Sequence, residues 1–341
     1  MMGQTKHIDV TSNGGGEFFK ESALSAERVE KTTPTASSQS ARRCVVFACD
    51  ETYAMPLATA MLSLAEAYQG DQPLDIYVLF NRFREAIQQR VVSPISGTKA
   101  SIQWIFIDLD EFESFSTLAY TSRMTYARLK IADLLPRGIS RALYLDADIL
   151  VLDDVERIFE TELNGSILGA ITDGLDAKLK AGHRDVEGVP RVHDYFNAGV
   201  LLIDLNLWRE KLISNKVLRY LEDYPRSGYA DQDALNVVCD LQWKQLESRW
   251  NYQECWKNNI AEIPCLQRPG IVHFVTAEKP WHAGINHINA KFYDSFRKRT
   301  CFTRSAPNRL LDKCRDMSYK VKCNVKKYVL PQAICKPTRS S

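Results

Sequence analysis

The hexapeptide Leu143-Tyr144-Leu145-Asp146-Ala147-Asp148 places two carboxylates around one small residue at the end of an apolar run. In an extended chain residues i and i+2 point to the same side, so Asp146 and Asp148 converge on one point. Two acids held together repel each other, and a divalent cation relieves that repulsion. Solvated loops also carry such pairs; the apolar strand before this one gives it weight, because ligands of open α/β sheets gather beyond the carboxyl ends of strands. Farther along, Ile271-Val272-His273-Phe274 leads into Lys279-Pro280-Trp281. The imidazole of His273 could complete a coordination shell of the kind Mn²⁺ accepts, and Lys279 offers a point charge for a phosphate. Read by itself, a histidine after a strand is more often a packed residue than a ligand.

Two further clusters are polar where the surrounding pattern is not. In Phe196-Asn197-Ala198-Gly199-Val200-Leu201, the Asn197 amide can donate to and accept from hydroxyls, and Gly199 permits close approach of the backbone. A turn before a strand explains the same residues equally well. In Tyr229-Ala230-Asp231-Gln232-Asp233, Asp231 is expected to cap a helix and Gln232 to lie exposed in its first turn.

These residues need a scaffold, and the hydrophobic pattern supplies one. Cys44-Val45-Val46-Phe47-Ala48-Cys49 stops at Asp50 as a buried parallel strand should. Residues 54–69 carry apolar side chains at helical spacing and end at Gly70. The alternation continues with strands at 74–80, 102–107 and 142–145, and with helices at 83–91 and 126–135, the last closed by Pro136. More strands are expected at 166–172, 198–204 and 271–275, and more helices at 206–222 and 231–239. The expected class is α/β, a sheet wound by right-handed crossovers.

Composition agrees: 341 residues with 45% hydrophobic and 25% charged content describe an ordinary globular chain, not a fibrous or disordered one. The net charge of +2 conceals an asymmetry. From Arg297 onward the chain carries roughly +11, which leaves the rest near −9. A basic tail on an acidic body points to an anionic surface, either a membrane or a nucleic acid. The acidic body shows no nucleic-acid-binding module, so the expectation is no nucleic acid. Nine cysteines, odd in number and without C-x-x-C spacing, support neither a disulfide framework nor a zinc site and favour a reducing cytoplasm. Residues 1–41, rich in Ser, Thr and Gly, read as a disordered leader, 42–296 as the folded domain, and 297–341 as a basic amphipathic, helical tail. Neither a secretory signal nor a spanning apolar segment is present in the sequence, so membrane contact is expected to be peripheral.

Taken in order and at these distances, the V-V-F-A-C-D-E-T-Y-A opening, Y-L-D-A-D, F-N-A-G-V-L-L, D-Q-D and H-F-x-x-x-x-K-P-W resemble glycosyltransferase family 8 over roughly residues 43–295. That family includes lipopolysaccharide α-galactosyl- and α-glucosyltransferases and glycogenin. The resemblance implies a GT-A fold, one Rossmann-like domain that binds a nucleotide-diphospho-sugar. It also implies a UDP-hexose donor, UDP-galactose or UDP-glucose, Mn²⁺ with Mg²⁺ as substitute, a saccharide acceptor and retention of anomeric configuration. Residue by residue, Ala48, Asp50 and Tyr53 match the positions that hold uracil and ribose, and Arg128 the arginine on the donor sugar. Asp146, Asp148 and His273 match the metal ligands, with Ala147 between them at the donor. Asp173, Asn197, Ala198, Asp231 and Gln232 match residues around the reacting hexose, and Lys279 the lysine on the diphosphate. The family usually has glycine three residues after the metal-binding histidine; this chain has Thr276.

The function expected is a retaining hexosyltransferase in lipopolysaccharide core or outer glycan synthesis, cytoplasmic and peripheral on the inner face of the membrane. Its acceptor is expected to be lipid-linked, with Gln232 as the group at the reacting sugar in preference to a covalent step through Asp231. Two other readings stay open: a self-glucosylating protein like glycogenin, and a non-enzymatic protein that binds anionic surfaces. A nucleotide-sugar pyrophosphorylase is disfavoured, since no G-x-G-T-R loop follows the first strand.

Overall fold

Val45, Phe47 and Cys49 alternate with Cys44, Val46 and Ala48 along the first strand, and the two sets face different cores. That alternation makes a central strand, covered on both sides. The computed structural model describes residues 42–303, apart from 116, 118–121, 175–191, 226–228 and 283–284. The expected leader and the tail beyond 303 lie outside the described residues.

Strands β1 (Arg43–Asp50), β2 (Leu74–Asn81), β3 (Ala100–Phe106) and β4 (Arg141–Leu145) form the parallel half of a seven-stranded sheet. The order across it is β3-β2-β1-β4-β7-β6-β8, where β6 is Leu168–Thr172, β7 is Phe196–Asp204 and β8 is Trp243–Gln245. β7 runs antiparallel to both its neighbours, so the sheet is mixed rather than uniformly parallel. A two-stranded antiparallel ribbon joins β5 (Ile149–Val151) to β9 (Ile271–His273), pairing Ile149 with His273.

Helix α1 (Ala54–Ala67) lies on the Val45/Phe47 face and buries Leu57, Ala58, Ala60, Met61 and Leu64 completely. Removing a leucine or methionine side chain from water contributes about 1.5–3 kcal/mol. The other face is covered by the segment 123–134, by α5 (Leu205–Glu210) and α6 (Ile213–Asp223), and by α7 (Asp231–Val238). Short helices α2 (Glu85–Val92), α3 (Ile131–Leu134) and α4 (Glu156–Phe159) and a last helix, α8 (Ala290–Arg297), complete the α-helices among the described residues. Beyond α8, Phe302 still packs on the body, and Arg299 pairs with Glu66.

Two expected helices take other forms. The one expected at 126–135 winds as a 3-10 helix over Arg123–Lys130 before α3. Three residues per turn set Thr125 and Arg128 in line, and the Arg128 guanidinium donates to the Thr125 carbonyl and hydroxyl, both at 3.1 Å. The one expected at 206–222 breaks at Leu212, whose φ of 54° belongs to the left-handed region.

Candidate active site

At the carboxyl edge of β1 and β4 the chain leaves the sheet and turns polar. The Asp146 N–H donates to the Gly199 carbonyl at 2.8 Å, and the Phe274 N–H donates to the Asp148 carbonyl at 3.0 Å. These bonds bring the strand-end acids, β7 and His273 to one place. Donor atoms of Asp146, Asp148 and His273 all lie within 4.8 Å of one another. His273 Nε2 is 3.3 Å from Asp148 Oδ1 and 3.7 Å from Asp146 Oδ2.

Each of the three side chains is held from behind. Asp146 Oδ1 accepts from the Tyr144 hydroxyl at 2.6 Å and faces Arg128 at 3.0 Å. Asp148 Oδ2 takes Lys279 Nζ at 2.7 Å, and His273 Nδ1 meets Asn251 Oδ1 at 2.9 Å. One oxygen of each acid and the ring Nε2 are therefore left facing a common centre. Two carboxylates and a neutral imidazole with its second nitrogen engaged suit a hard-to-borderline divalent ion such as Mn²⁺ or Mg²⁺.

Electrostatics favour the charged forms of Asp148 and Arg128. Burial works against the Asp148 carboxylate, but Lys279 and His273 outweigh it and hold its carboxyl well below the usual range. Burial likewise opposes the Arg128 guanidinium, yet Asp146, Tyr144 and Asp231 raise it above its ordinary value. Arg128 also lies over the Tyr144 ring, 4.8 Å from its centroid.

A second polar group adjoins the first. Asn197 Nδ2 donates to Asp173 Oδ2 at 2.9 Å, and Gln232 Nε2 donates to the same oxygen at 3.1 Å. Gln232 Oε1 accepts the Ala198 N–H at 2.9 Å, while the Ala198 carbonyl accepts from Arg128 at 2.6 Å. Asp231 differs from the cap expected of it. Ala230 occupies the cap position at φ 51° without a side-chain bond, and Asp231 is buried in the first turn. There its Oδ1 accepts from the Thr125 hydroxyl at 2.6 Å, and Oδ2 lies 2.9 Å from Arg128 Nε without hydrogen-bond alignment. Burial pushes its carboxyl up, against the pull of Arg128. Gln232 is half-buried, not exposed.

The remaining sequence candidates line the same edge. Ala48 is half-buried on the Tyr144 face of β1, and Ala147 is buried between the two acids. Asp50 caps the turn Glu51–Tyr53 by accepting the Thr52 N–H at 2.9 Å. The Tyr53 ring sits edge-on to Trp281, centroids 6.2 Å apart, which ties this turn to the Lys279 loop. The Thr276 hydroxyl donates to the Glu278 carbonyl at 2.8 Å and so stabilises that loop internally. Sequence reasoning missed Asn251 and Thr125 and gave Tyr144 no role. The only local signal at Asn251 is an amide after a buried tryptophan.

Fold and site together define a sugar-transferring enzyme of the GT-A type. The chain belongs to glycosyltransferase family 8: residues 44–284 match the family described as "Glycosyl transferase family 8". General stress protein A of Bacillus subtilis (strain 168) is 27% identical over 258 residues, covering 71% of this chain and 88% of that protein. The lipopolysaccharide 1,2-glucosyltransferase of Escherichia coli (strain K12) is 25% identical over 228 residues, 64% of this chain and 67% of that one. Among solved structures, the galactosyltransferase LgtC in complex with donor and acceptor sugar analogues superposes with a TM-score of 0.65 at 28% identity. That match covers 77% of this chain and 98% of LgtC.

Proposed function

We propose that this enzyme transfers galactose or glucose from a UDP-sugar to a saccharide hydroxyl, with retention at the anomeric carbon and with Mn²⁺, or Mg²⁺ in its place, on Asp146, Asp148 and His273. The observation that carries the reading is the arrangement of those three side chains, each held from behind and each turning one donor atom to the same centre. The glucosyl- and galactosyltransferase names of the relatives support the donor class. On the same grounds the acceptor is a lipid-linked saccharide of a lipopolysaccharide-type glycan. The basic tail holds the enzyme peripherally at the cytoplasmic face of the membrane.

A divalent cation bound there supplies charge to the diphosphate leaving group. The chain's own residues do the rest. Ala48, Asp50 and Tyr53 receive the uridine at the end of β1. Lys279 exchanges part of its contact with Asp148 for the diphosphate, adding positive charge where negative charge grows. Arg128, Asp173, Asn197 and Ala198 orient the hexose, with Ala147 leaving room beside them. Both Asp231 oxygens face Thr125 or Arg128, which disfavours that acid as a covalent nucleophile. Attack by the acceptor hydroxyl on the face the leaving group departs from, beside the Gln232 amide, fits better.

UDP release from a panel of UDP-sugars, with Mn²⁺ or EDTA, tests the reading. One UDP-hexose is expected to turn over with Mn²⁺ only, and Asp148→Ala to lose that turnover. Gln232→Ala is expected to lower kcat by about 10²-fold; unchanged kcat would remove it from the reacting centre. No turnover with any donor and no UDP binding would return the chain to the reading as a non-enzymatic binding protein.

A further inference from the structure

Asn251 is 2% exposed at the end of the 3-10 helix Ser248–Asn251, and it bonds two residues of the site at once. Its Oδ1 lies 2.9 Å from His273 Nδ1, and its Nδ2 donates to Asn197 Oδ1 at 2.9 Å. Asn197 passes the contact on to Asp173, and Asp173 accepts from Gln232. A continuous chain of side-chain hydrogen bonds thus runs His273, Asn251, Asn197, Asp173, Gln232.

The direction of every bond in it is dictated by groups that have no choice. The Gly199 backbone N–H, a donor only, lies 3.0 Å from Asn197 Oδ1, and the Asp173 carboxylate, an acceptor, lies on the Asn197 Nδ2 side. The Asn197 amide is therefore fixed with oxygen toward Gly199 and Asn251. Asn251 must turn its NH₂ to that oxygen and its own oxygen to His273. His273 Nδ1 must then carry a proton, so Nε2 is the nitrogen turned toward Asp146 and Asp148 and the one available to a metal there. At the far end the Ala198 N–H fixes Gln232 in the same way.

We infer that Asn251 is a positioning residue with two separable arms, one setting the tautomer and ring orientation of His273 for the metal and one setting the Asn197 amide for the sugar. The inference rests on the proposed function and deepens it. A carboxylate at position 251 still accepts the His273 Nδ1–H but has no proton for Asn197 Oδ1. Turning the Asn197 amide to suit it would set the Asn197 oxygen against Asp173.

Mn²⁺ binding, alone and with UDP, is measured by electron paramagnetic resonance, with the ¹⁴N modulation of a coordinated imidazole as the signature of His273. Turnover and melting temperature are measured beside it. Asn251→Ala is expected to weaken Mn²⁺ binding by about 10- to 100-fold and to diminish the ¹⁴N signature. Asn251→Asp is expected to keep both near wild type while kcat falls about tenfold or more. A role confined to packing would move binding and turnover together with melting temperature. Wild-type Mn²⁺ binding in Asn251→Ala overturns the inference alone. If Asn251→Ala does not fold, Asn251→Asp decides: loss of kcat with Mn²⁺ binding retained supports the two arms, and equal loss or equal retention of both overturns them. A wild-type enzyme that binds no Mn²⁺ under either condition overturns the metal reading and this inference with it.

Discussion

Gly199 is where strand β7 and the side chains of His273 and Asp146 compete for the same volume. A methyl added there would fall inside the contact shell of His273 Cε1 and 2.8 Å from Asp146 Oδ2, and neither ring nor carboxylate has a free direction to retreat. Gly199→Ala is expected to cost about 1–3 kcal/mol and to lower Mn²⁺-dependent turnover far more than melting temperature alone explains. Wild-type turnover in that variant would mean that the ligands tolerate displacement. Tyr144→Phe makes the complementary test, since it keeps the ring under Arg128 and removes only the hydroxyl on Asp146 Oδ1. Mn²⁺ affinity is expected to fall about tenfold with melting temperature nearly unchanged; unchanged affinity would show that Arg128 alone suffices to hold Asp146. The convergence of Asp146 and Asp148 was legible in sequence, because acids two apart at a strand end converge whatever else the fold does. Their supports were not. Asn251, Thr125 and the burial of Asp231 depend on which elements meet, and an acid at a helix start looks like a cap until Arg128 is seen beside it.

At the scale of elements, the parallel half of the sheet was readable because β1, β2 and β4 are apolar runs of five to eight residues with clear ends. β5 and β8 span three residues each, too short for any period to register. The split of the helix expected at 206–222 has a different cause. Lys211 and Leu212 donate back to Leu207 and Arg209, closing α5, and Leu212 takes the left-handed conformation that commonly follows a helix and favours glycine. Nothing in a run of apolar and basic residues announces that turn. Leu212 is 60% exposed, so little packing is lost when its side chain is removed. Leu212→Gly is expected to relieve about 1–2 kcal/mol of backbone strain against about 0.5–1 kcal/mol of added unfolded-chain entropy. The net gain is a rise of roughly 1–3 °C in melting temperature. A fall instead would show that the Leu212 side chain contributes more packing than its exposure implies.

The whole molecule divides its charge unevenly, and the proposed membrane docking rests on that division. No helix among the described residues is long and apolar enough to cross a membrane. The described chain already spends some of the basic residues counted with the tail: Arg297 is buried beside Asp294, and Arg299 is paired with Glu66. Residues 304–341 still carry about +8, on a body that is acidic and therefore repelled by anionic lipid. Each basic residue that reaches an anionic surface contributes about 1 kcal/mol, so three or four engaged side chains raise partitioning by roughly two to three orders of magnitude at physiological salt. A chain ending at Thr303 is therefore expected to lose sedimentation with anionic liposomes while keeping its turnover of a soluble acceptor. The full chain is expected to dissociate from the same liposomes as salt rises, because screening shortens the reach of the tail's charge. Equal sedimentation of the two forms would remove the tail from membrane docking. Loss of turnover on the soluble acceptor would instead make the tail part of the catalytic body, which the packing of Phe302 on that body makes worth separating from the lipid effect.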